Sequence, residues 1–198
     1  MRRKLNDSTL SRIFEIGRAL FIANGFHATT IKDISNDANI NLAAVNYHYG
    51  DKLGLCVAIV IEELRDTRRS MPRIESMAET EDSLGCLVGF VDWFLERYDD
   101  KRNPVAALLG ELYNGLGYSD PRVFEMVEPE SAELISILKV CCPGSTAYQI
   151  QCQAACVMTL MTNGMSRITG SLSKRTDAIR QFCIGGVSAR SNGELPTM

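Results

Sequence analysis

The strongest constraint on the fold of this chain is a pair of short helical segments fixed between cap and turn residues. The segment Thr30-Ile31-Lys32-Asp33 has the pattern of a capping box, in which a hydroxyl and a carboxylate satisfy free backbone N–H groups at a helix start. It predicts a helix of about two turns, buried through Ile31, Ile34 and Ala38. Asn39 marks a turn, because Asn tolerates a positive φ. A third short helix is predicted to begin at Asn41.

The residues on either side of this pair complete a three-helix arrangement. Apolar residues recur at three- and four-residue steps from Leu10 to Phe21, which predicts a longer amphipathic helix that ends at Asn24-Gly25. After the pair, Gly50-Asp51 supplies a break and an N-cap for a fourth helix. Two short helices that are joined by a tight turn and packed on a longer one form a helix-turn-helix.

Helical periodicity continues through the rest of the 198 residues. Breaks are predicted at Met71-Pro72, Asn103-Pro104, residues 115–121, Glu128-Pro129 and Cys142-Pro143-Gly144, which leaves about five further helices. We therefore predict an all-α protein. Residues 1–52 form a three-helix domain with the helix-turn-helix, residues 51–70 form a connector helix, and a larger helical domain covers residues 53–198.

Composition and charge narrow the classes of function. No run approaches the roughly 20 apolar residues of a membrane span, and the start Met1-Arg2-Arg3-Lys4 leads into polar sequence. A cytoplasmic location without a membrane partner is therefore expected. Net charge is −3 overall. Residues 1–52 carry seven Lys/Arg and five Asp/Glu, a net charge of +2, against −5 for the remainder, so that the first segment is the one suited to a polyanion.

Two runs in the first quarter of the chain closely resemble the DNA-binding signature of the TetR/AcrR family of transcriptional regulators. These are residues 24–34, NGFHATTIKDI, and residues 38–52, ANINLAAVNYHYGDK. Within that family, Asn46-Tyr47-His48-Tyr49 resembles the branch of the cephalosporin-responsive regulator CecR. Two positions depart from the family pattern: Asn39 stands where the turn usually has Gly, and Leu53 stands where Glu is common. Asn adopts the same backbone as Gly at such a turn, so the first departure costs little.

The resemblance implies that residues 41–48 form a recognition helix in the major groove, where all four base pairs present distinct patterns. Asn46 would pair with adenine, and Tyr47 and His48 would reach phosphates or base edges. Asn41 opens this helix. Thr30 and Lys52 would contact phosphates, which positions the protein without reading sequence. The small or apolar residues expected at thymine methyl groups are Leu42, Ala43 and Ala44. A homodimer on a near-palindromic, double-stranded operator is the expected complex.

The larger domain is expected to bind a small-molecule inducer and to form the dimer. An apolar cavity with polar tips is predicted from residues on two helices, with a solid core as the alternative. The predicted ligand contacts are Phe90, Trp93, Phe94, Leu109 and Tyr113. Dimerisation is assigned to Gln149–Ser166 and Asp177–Gly185, because in the family the last two long helices form a four-helix bundle. The expected function is a ligand-responsive repressor, with no cofactor.

Other classes of protein fit the sequence less well. The Gly-x-x-x-x-Gly-Lys, His-Glu-x-x-His and Gly-x-Ser-x-Gly motifs of common enzymes do not occur, and both histidines, His27 and His48, lie in the DNA-binding segment. The seven cysteines predict reduced, mostly buried thiols. Cys152 and Cys156, one helical turn apart, leave a redox- or metal-responsive regulator as the alternative, although no metal ligand set is complete. A helical scaffold that does not bind DNA is a further alternative.

Overall fold

The computed structural model describes residues 7–73, 83–98, 103–116, 120–166, 177–182 and 185, and within them every regular element is a helix. The helices in chain order are α1 Asp7–Ala28, α2 Ile31–Asp37, α3 Leu42–Tyr49, α4 Lys52–Arg69, α5 Ser83–Arg97, α6 Pro104–Leu116, α7 Pro121–Met126, α8 Glu128–Cys141 and α9 Ala147–Ser166. Residues 177–182 are also helical. The predicted all-α class is therefore confirmed.

Helix α1 differs from the prediction at its end. Gly25 interrupts the helix with φ 80° and ψ 171°, a conformation that Gly adopts without steric cost. The chain then makes one more turn, from Phe26 to Ala28, instead of leaving the helix. Thr29 is buried directly after this turn, and its hydroxyl donates to the carbonyl oxygens of Leu20 and Gly25 at 3.2 and 2.8 Å. The extra turn is thereby tied back to α1.

Helices α2 and α3 form as their cap residues predict. Thr30 and Asp33 make the reciprocal hydrogen bonds of a capping box at the start of α2. Asn39 has φ 51° in the turn. Asn41 is the N-cap of α3, which begins one residue later than predicted, at Leu42. Val45 is fully buried, so α3 is anchored to the core by the face opposite its exposed residues.

Helix α4 links the helix-turn-helix to the rest of the molecule. Asp51 caps it by accepting a hydrogen bond from the Gly54 N–H at 2.7 Å, as the sequence predicts. Seven of its residues are buried: Leu53, Leu55, Cys56, Val57, Ile59, Val60 and Leu64. It packs against α1 on one side and against α6 and α7 on the other. A displacement of α4 therefore affects the packing of α1 as well as that of α6 and α7.

The later helices pack on one another around a continuous apolar core. Helix α9 packs against α6 and α8, and α5 packs against α8. Most of the predicted breaks lie between helices, but Glu128 starts α8 after a single non-helical residue, Val127. The sequence also predicts that α9 extends to Thr169 and that residues 191–198 form a frayed tail. Residues 167–169 and this tail lie outside the described residues. In the described part of the chain, none of the helices is both long and apolar enough to cross a bilayer.

Candidate nucleic-acid interface

Helix α3 presents an outward face of exposed side chains. Leu42 is 42% exposed and Tyr47 is 69% exposed, and both are among the most exposed large apolar residues that the structure describes. Asn41, Ala43 and Asn46 are exposed beside them, whereas Ala44 is half-buried. With His48, seven predicted DNA contacts thus lie on one short helix and its cap, with donor, acceptor and apolar groups side by side.

Two of these side chains are partly committed within the protein. The Asn41 amide oxygen accepts the hydrogen bond of the Ala43 N–H at 2.9 Å, so its NH₂ group is the part left for an outside acceptor. His48 is half-buried and meets the Tyr47 ring edge-on, with centroids 5.0 Å apart. The His48 Nε2 atom is buried without a hydrogen-bond partner. In this conformation the Tyr47 side chain, which is 69% exposed, is more accessible to a partner than that of His48.

The two residues predicted to contact phosphates lie at the starts of α2 and α4, the helices on either side of α3. Both already make hydrogen bonds within the protein. The Thr30 hydroxyl donates to Asp33 Oδ2 at 2.6 Å and accepts from the Asp33 N–H at 3.1 Å. Lys52 Nζ donates to the Phe26 carbonyl oxygen at 2.9 Å and lies 4.3 Å from the centroid of the Phe26 ring. Sequence reasoning missed this second role of Lys52. The signal for it was the Gly25-Phe26 break, which turns the Phe26 carbonyl toward α4.

The predicted ligand contacts lie in packed regions of the larger domain. Phe90, Trp93 and Phe94 join Tyr98 in an aromatic cluster, in which the Phe94 and Tyr98 rings stack with centroids 4.2 Å apart. Trp93 Nε1 donates to Ser70 Oγ at 3.2 Å. On α6, Leu109 is buried, and Tyr113 contacts Phe124 edge-on at 6.3 Å. The structure thus brings three of the five residues together.

A polar cleft lies near this cluster and was not predicted. It has a volume of about 350 Å³ and is lined by Thr67, Glu96, Arg97 and Asn103, at the ends of α4 and α5 and the start of α6. None of the five predicted ligand contacts lines it. No periodicity in the sequence signals the cleft, because its walls come from three separate helix ends.

A buried ion pair joins the end of α4 to α8. Arg68 donates to both carboxylate oxygens of Glu130, at 2.7 and 3.0 Å, and also to the Met126 carbonyl oxygen. The Tyr98 hydroxyl donates to the same carboxylate. Burial disfavours the charged guanidinium, but the hydrogen bonds and charge of Glu130 outweigh it, so the pKa of Arg68 is raised. Burial and Glu130 also raise the pKa of Tyr98, which keeps its hydroxyl a donor.

The cysteines divide into two groups by exposure. Cys56, Cys86, Cys141 and Cys142 are buried, and burial, reinforced by Glu111, raises the pKa of the Cys56 thiol to about 12. Cys152 and Cys156 on α9 are exposed, so that four of the six described cysteines are buried, in agreement with the predicted mostly buried thiols. Over the residues that the structure describes, no group of three or more His, Cys, Asp or Glu side chains is placed to hold a metal ion.

Comparison with known proteins finds a family model that matches part of the first domain and a fold that is shared over most of the chain. The model of the bacterial regulatory proteins of the tetR family matches residues 13–59. Among solved structures, the fatty acid degradation regulator FadR from Bacillus halodurans is similar with a TM-score of 0.62 at 12% identity, covering 93% of this chain and 98% of its own. A tetR-family regulatory protein from Rhodococcus RHA1 has a TM-score of 0.59 at 19% identity, with 92% and 98% covered. No curated protein matches.

At these low sequence identities, the similarity to solved structures establishes the fold but not the function. The molecule has the all-helical TetR fold, with an N-terminal helix-turn-helix and a helical C-terminal domain. The narrower resemblance to the CecR branch has no support among these matches. The domain limits and the residues predicted for DNA and ligand stay predictions.

Proposed function

We propose, from the match of residues 13–59 to the model of the tetR family of bacterial regulatory proteins, that this protein is a ligand-responsive, DNA-binding transcriptional repressor. It binds a near-palindromic operator as a dimer and is released by a small molecule. The observation that carries the proposal is the outward face of α3, where Asn46 and Tyr47 are exposed above the buried Val45. A helix that packs on the protein through one face leaves its other face free to enter a major groove.

Sequence readout in this proposal belongs to α3, and positioning belongs to its flanks. Asn46 supplies the paired donor and acceptor that match an adenine edge. Leu42, Ala43 and Ala44 offer apolar contact to thymine methyl groups, and Tyr47 and His48 reach base edges or phosphates. Asn41, Thr30 and Lys52 contribute donors beside the start of a helix, where N–H groups favour an anion. For Lys52 to reach a phosphate, DNA must compete with the Phe26 carbonyl for its ammonium.

The inducer in this proposal enters among Phe90, Trp93, Phe94, Leu109 and Tyr113. All five are buried, so entry requires these helices to separate. A compound releases DNA only through its difference in affinity between the DNA-binding and released states. Helix α4 is placed to couple the ligand contacts to α3. At its C-cap, Ser70 accepts a hydrogen bond from Trp93, and at its other end the N-cap Asp51 directly follows the C-cap of α3.

The first experiment is a fluorescence-anisotropy titration of the purified protein with a duplex selected by the wild type from a random library. It is run at two salt concentrations, with unrelated DNA for comparison. The Asn46→Ala, Tyr47→Ala double variant is expected to lose about tenfold or more in preference for the selected duplex, since a base contact contributes about 1–3 kcal/mol of discrimination. Its salt dependence should be unchanged, because no charge is removed.

The control is Lys139→Ala, at an exposed position on α8. It should keep the preference of the wild type. Retention of full preference by the double variant would refute readout by α3, whereas a wild type without preference for any duplex would favour the helical scaffold that does not bind DNA.

The alternative proposal is a cysteine-based, redox- or metal-responsive regulator. The observation that favours it is the exposure of Cys152 and Cys156 one turn apart on α9. A hydrogen bond with Cys152 raises the pKa of Tyr148, so the first of these thiols has a polar neighbour. Diamide or zinc should then change DNA binding of the wild type, but not that of a Cys152→Ser, Cys156→Ser variant. An equal response of both proteins, or of neither, would exclude this mechanism.

A further inference from the structure

The backbone of one residue at the end of α1, Phe26, is held from two sides. The Phe26 N–H donates to Glu111 Oε2 at 3.0 Å, and the Phe26 carbonyl oxygen accepts from Lys52 Nζ at 2.9 Å. Phe26 itself is buried and stacks on Phe21, with ring centroids 6.1 Å apart. The turn that leads into α2 is therefore fixed by a residue of the larger domain and by the first residue of α4.

Glu111 makes more than one contact across this boundary. Its Oε1 atom accepts from the His27 N–H at 3.3 Å and lies 3.8 Å from His27 Nε2. Both carboxylate oxygens are thus directed at consecutive residues of the first domain. Hydrogen bonds to an ionised acceptor are about twice as strong as neutral ones. Glu111 comes from the middle of α6, a helix that also packs against α9.

Gly25 makes this approach possible. Its φ of 80° turns the Phe26 N–H toward α6. A Cβ at this position would lie 3.3 Å from Glu111 Oε2, which is tighter than ordinary contact. The same glycine therefore supplies the backbone conformation and the space for the carboxylate.

A second contact crosses the boundary on the other side of the helix-turn-helix. Arg122 at the start of α7 donates to Asp51 Oδ1 at 2.9 Å, and two further hydrogen bonds to Asp120 hold its guanidinium in place. Asp51 directly follows Gly50, the C-cap of α3. The chain before α2 and the chain after α3 are thus each fastened to the larger domain by a charged side chain.

We infer that Glu111 and Arg122 are positioning residues that fix the angle at which the larger domain presents the helix-turn-helix. In a dimer, that angle sets the separation of the two recognition helices, and the separation selects the spacing of the operator half-sites. The inference rests on the proposed dimeric DNA binding. Neither residue lies on the exposed face of α3, so base readout within one half-site does not depend on them.

The test uses the duplex selected by the wild type and two derivatives, with one base pair inserted or deleted at its centre. Wild-type protein should bind the derivatives about tenfold more weakly, because a rigid pair of recognition helices tolerates one spacing. The spacing ratio is the Kd for a derivative divided by the Kd for the selected duplex. In a Glu111→Gln, Arg122→Gln variant this spacing ratio should fall at least about threefold toward one. A variant that is only less stable would lose affinity for all three duplexes alike and keep the ratio.

The matched control is Glu125→Gln, Arg65→Gln, which makes the same changes of charge at exposed side chains of α7 and α4. It should keep the ratio of the wild type. Hydrogen exchange gives an independent measurement: the Phe26 and His27 amides should exchange faster in the Glu111→Gln single variant, without a general increase over α5–α9.

An unchanged spacing ratio in the double variant overturns the inference while leaving DNA binding intact. A wild type that binds the selected duplex but does not distinguish the spacings overturns it as well. Failure of the wild type to prefer any duplex over unrelated DNA would instead refute the proposed function.

Discussion

Single residues between helices accept or donate more than one hydrogen bond in this molecule, as Asp51 shows. The same carboxylate oxygen caps α4 through the Gly54 N–H and accepts from Arg122. The hydrogen bond from Arg122 holds the pKa of Asp51 below its ordinary value of 3.8. A carboxyl with a lowered pKa in the folded state stabilises that state above the ordinary value, and the stabilisation is lost as the pH falls through the lower one.

Asp51→Asn should therefore lower the free energy of unfolding near neutral pH and have a smaller effect in acid. Asn caps a helix about as well as Asp, so the change mainly weakens the bond to Arg122. Because Asp51 is partly exposed, the expected loss is about 1 kcal/mol or less. Urea titrations between pH 7 and pH 3 give the difference, which should shrink below pH 3.8.

The control for this titration is Asp66→Asn, at an exposed residue that pairs with Arg69 one turn away on α4. It should change stability by less than about 0.5 kcal/mol. A difference between wild type and Asp51→Asn that stays constant down to pH 3 would contradict the role of the Asp51–Arg122 bond.

At the scale of the helices, caps and turns could be predicted from the sequence, whereas hydrogen bonds between distant residues could not. The capping box at Thr30, the positive φ of Asn39 and the cap at Asp51 depend on residues within a few positions, so the pattern identifies them. The bonds from Glu111 to Phe26 and from Arg68 to Glu130 join residues 85 and 62 positions apart. No periodicity encodes such pairs, because they depend on how whole helices pack. The exposed face of α3 was predictable, whereas the engagement of Lys52 was not.

The Arg68–Glu130 pair fastens the end of α4 to α8, and its burial predicts a large effect on stability. Glu130→Ala leaves a guanidinium without its partner in a mostly buried site, which typically costs about 3–5 kcal/mol. Replacing both charges, with Arg68→Met and Glu130→Leu, should cost much less, because no buried charge remains. Unfolding in urea, followed by circular dichroism, measures both variants.

The chain contains a matched pair for comparison at the surface. Arg18 donates to both oxygens of Glu63 at 2.7 and 2.9 Å, but both side chains are partly exposed. Glu63→Ala should therefore cost only about 1 kcal/mol or less. Equal losses for Glu63→Ala and Glu130→Ala would show that burial does not control the strength of these bonds.

At the scale of the whole molecule, we predict that the outer face of α9 contacts a second copy of the chain. Tyr148 is 75% exposed, and Cys152 and Cys156 follow it at four-residue steps on the same face. Phe182, in the helical segment 177–182, is 62% exposed. The resemblance assigns Gln149–Ser166 and Asp177–Gly185 to dimerisation, and Tyr148 directly precedes the first of these segments. Their side chains 163–166 and 183–184 lie outside the described residues. Dimerisation through α9 would bury this apolar surface.

Tyr148→Asp should shift the protein from dimer toward monomer, because it places a charge on a surface that the dimer would remove from water. Sedimentation velocity over a range of protein concentrations measures the change. Operator affinity should fall with it, since one recognition helix contacts only one half-site. The control is Val140→Asp, at a residue on α8 that is 54% exposed. If both variants sediment alike, α9 is not the dimer surface.

The position of Trp93 gives the protein an optical reporter of its own. Trp93 is the single tryptophan of the chain, so its emission needs no label and no correction for other indoles. Its N–H bonds to Ser70 at the C-cap of α4, and its ring lies among Phe90, Phe94 and Tyr98. A compound that separates these rings, or a shift of α4, would change the polarity around the indole. An emission spectrum recorded during a compound screen would therefore detect entry into the core without any DNA present.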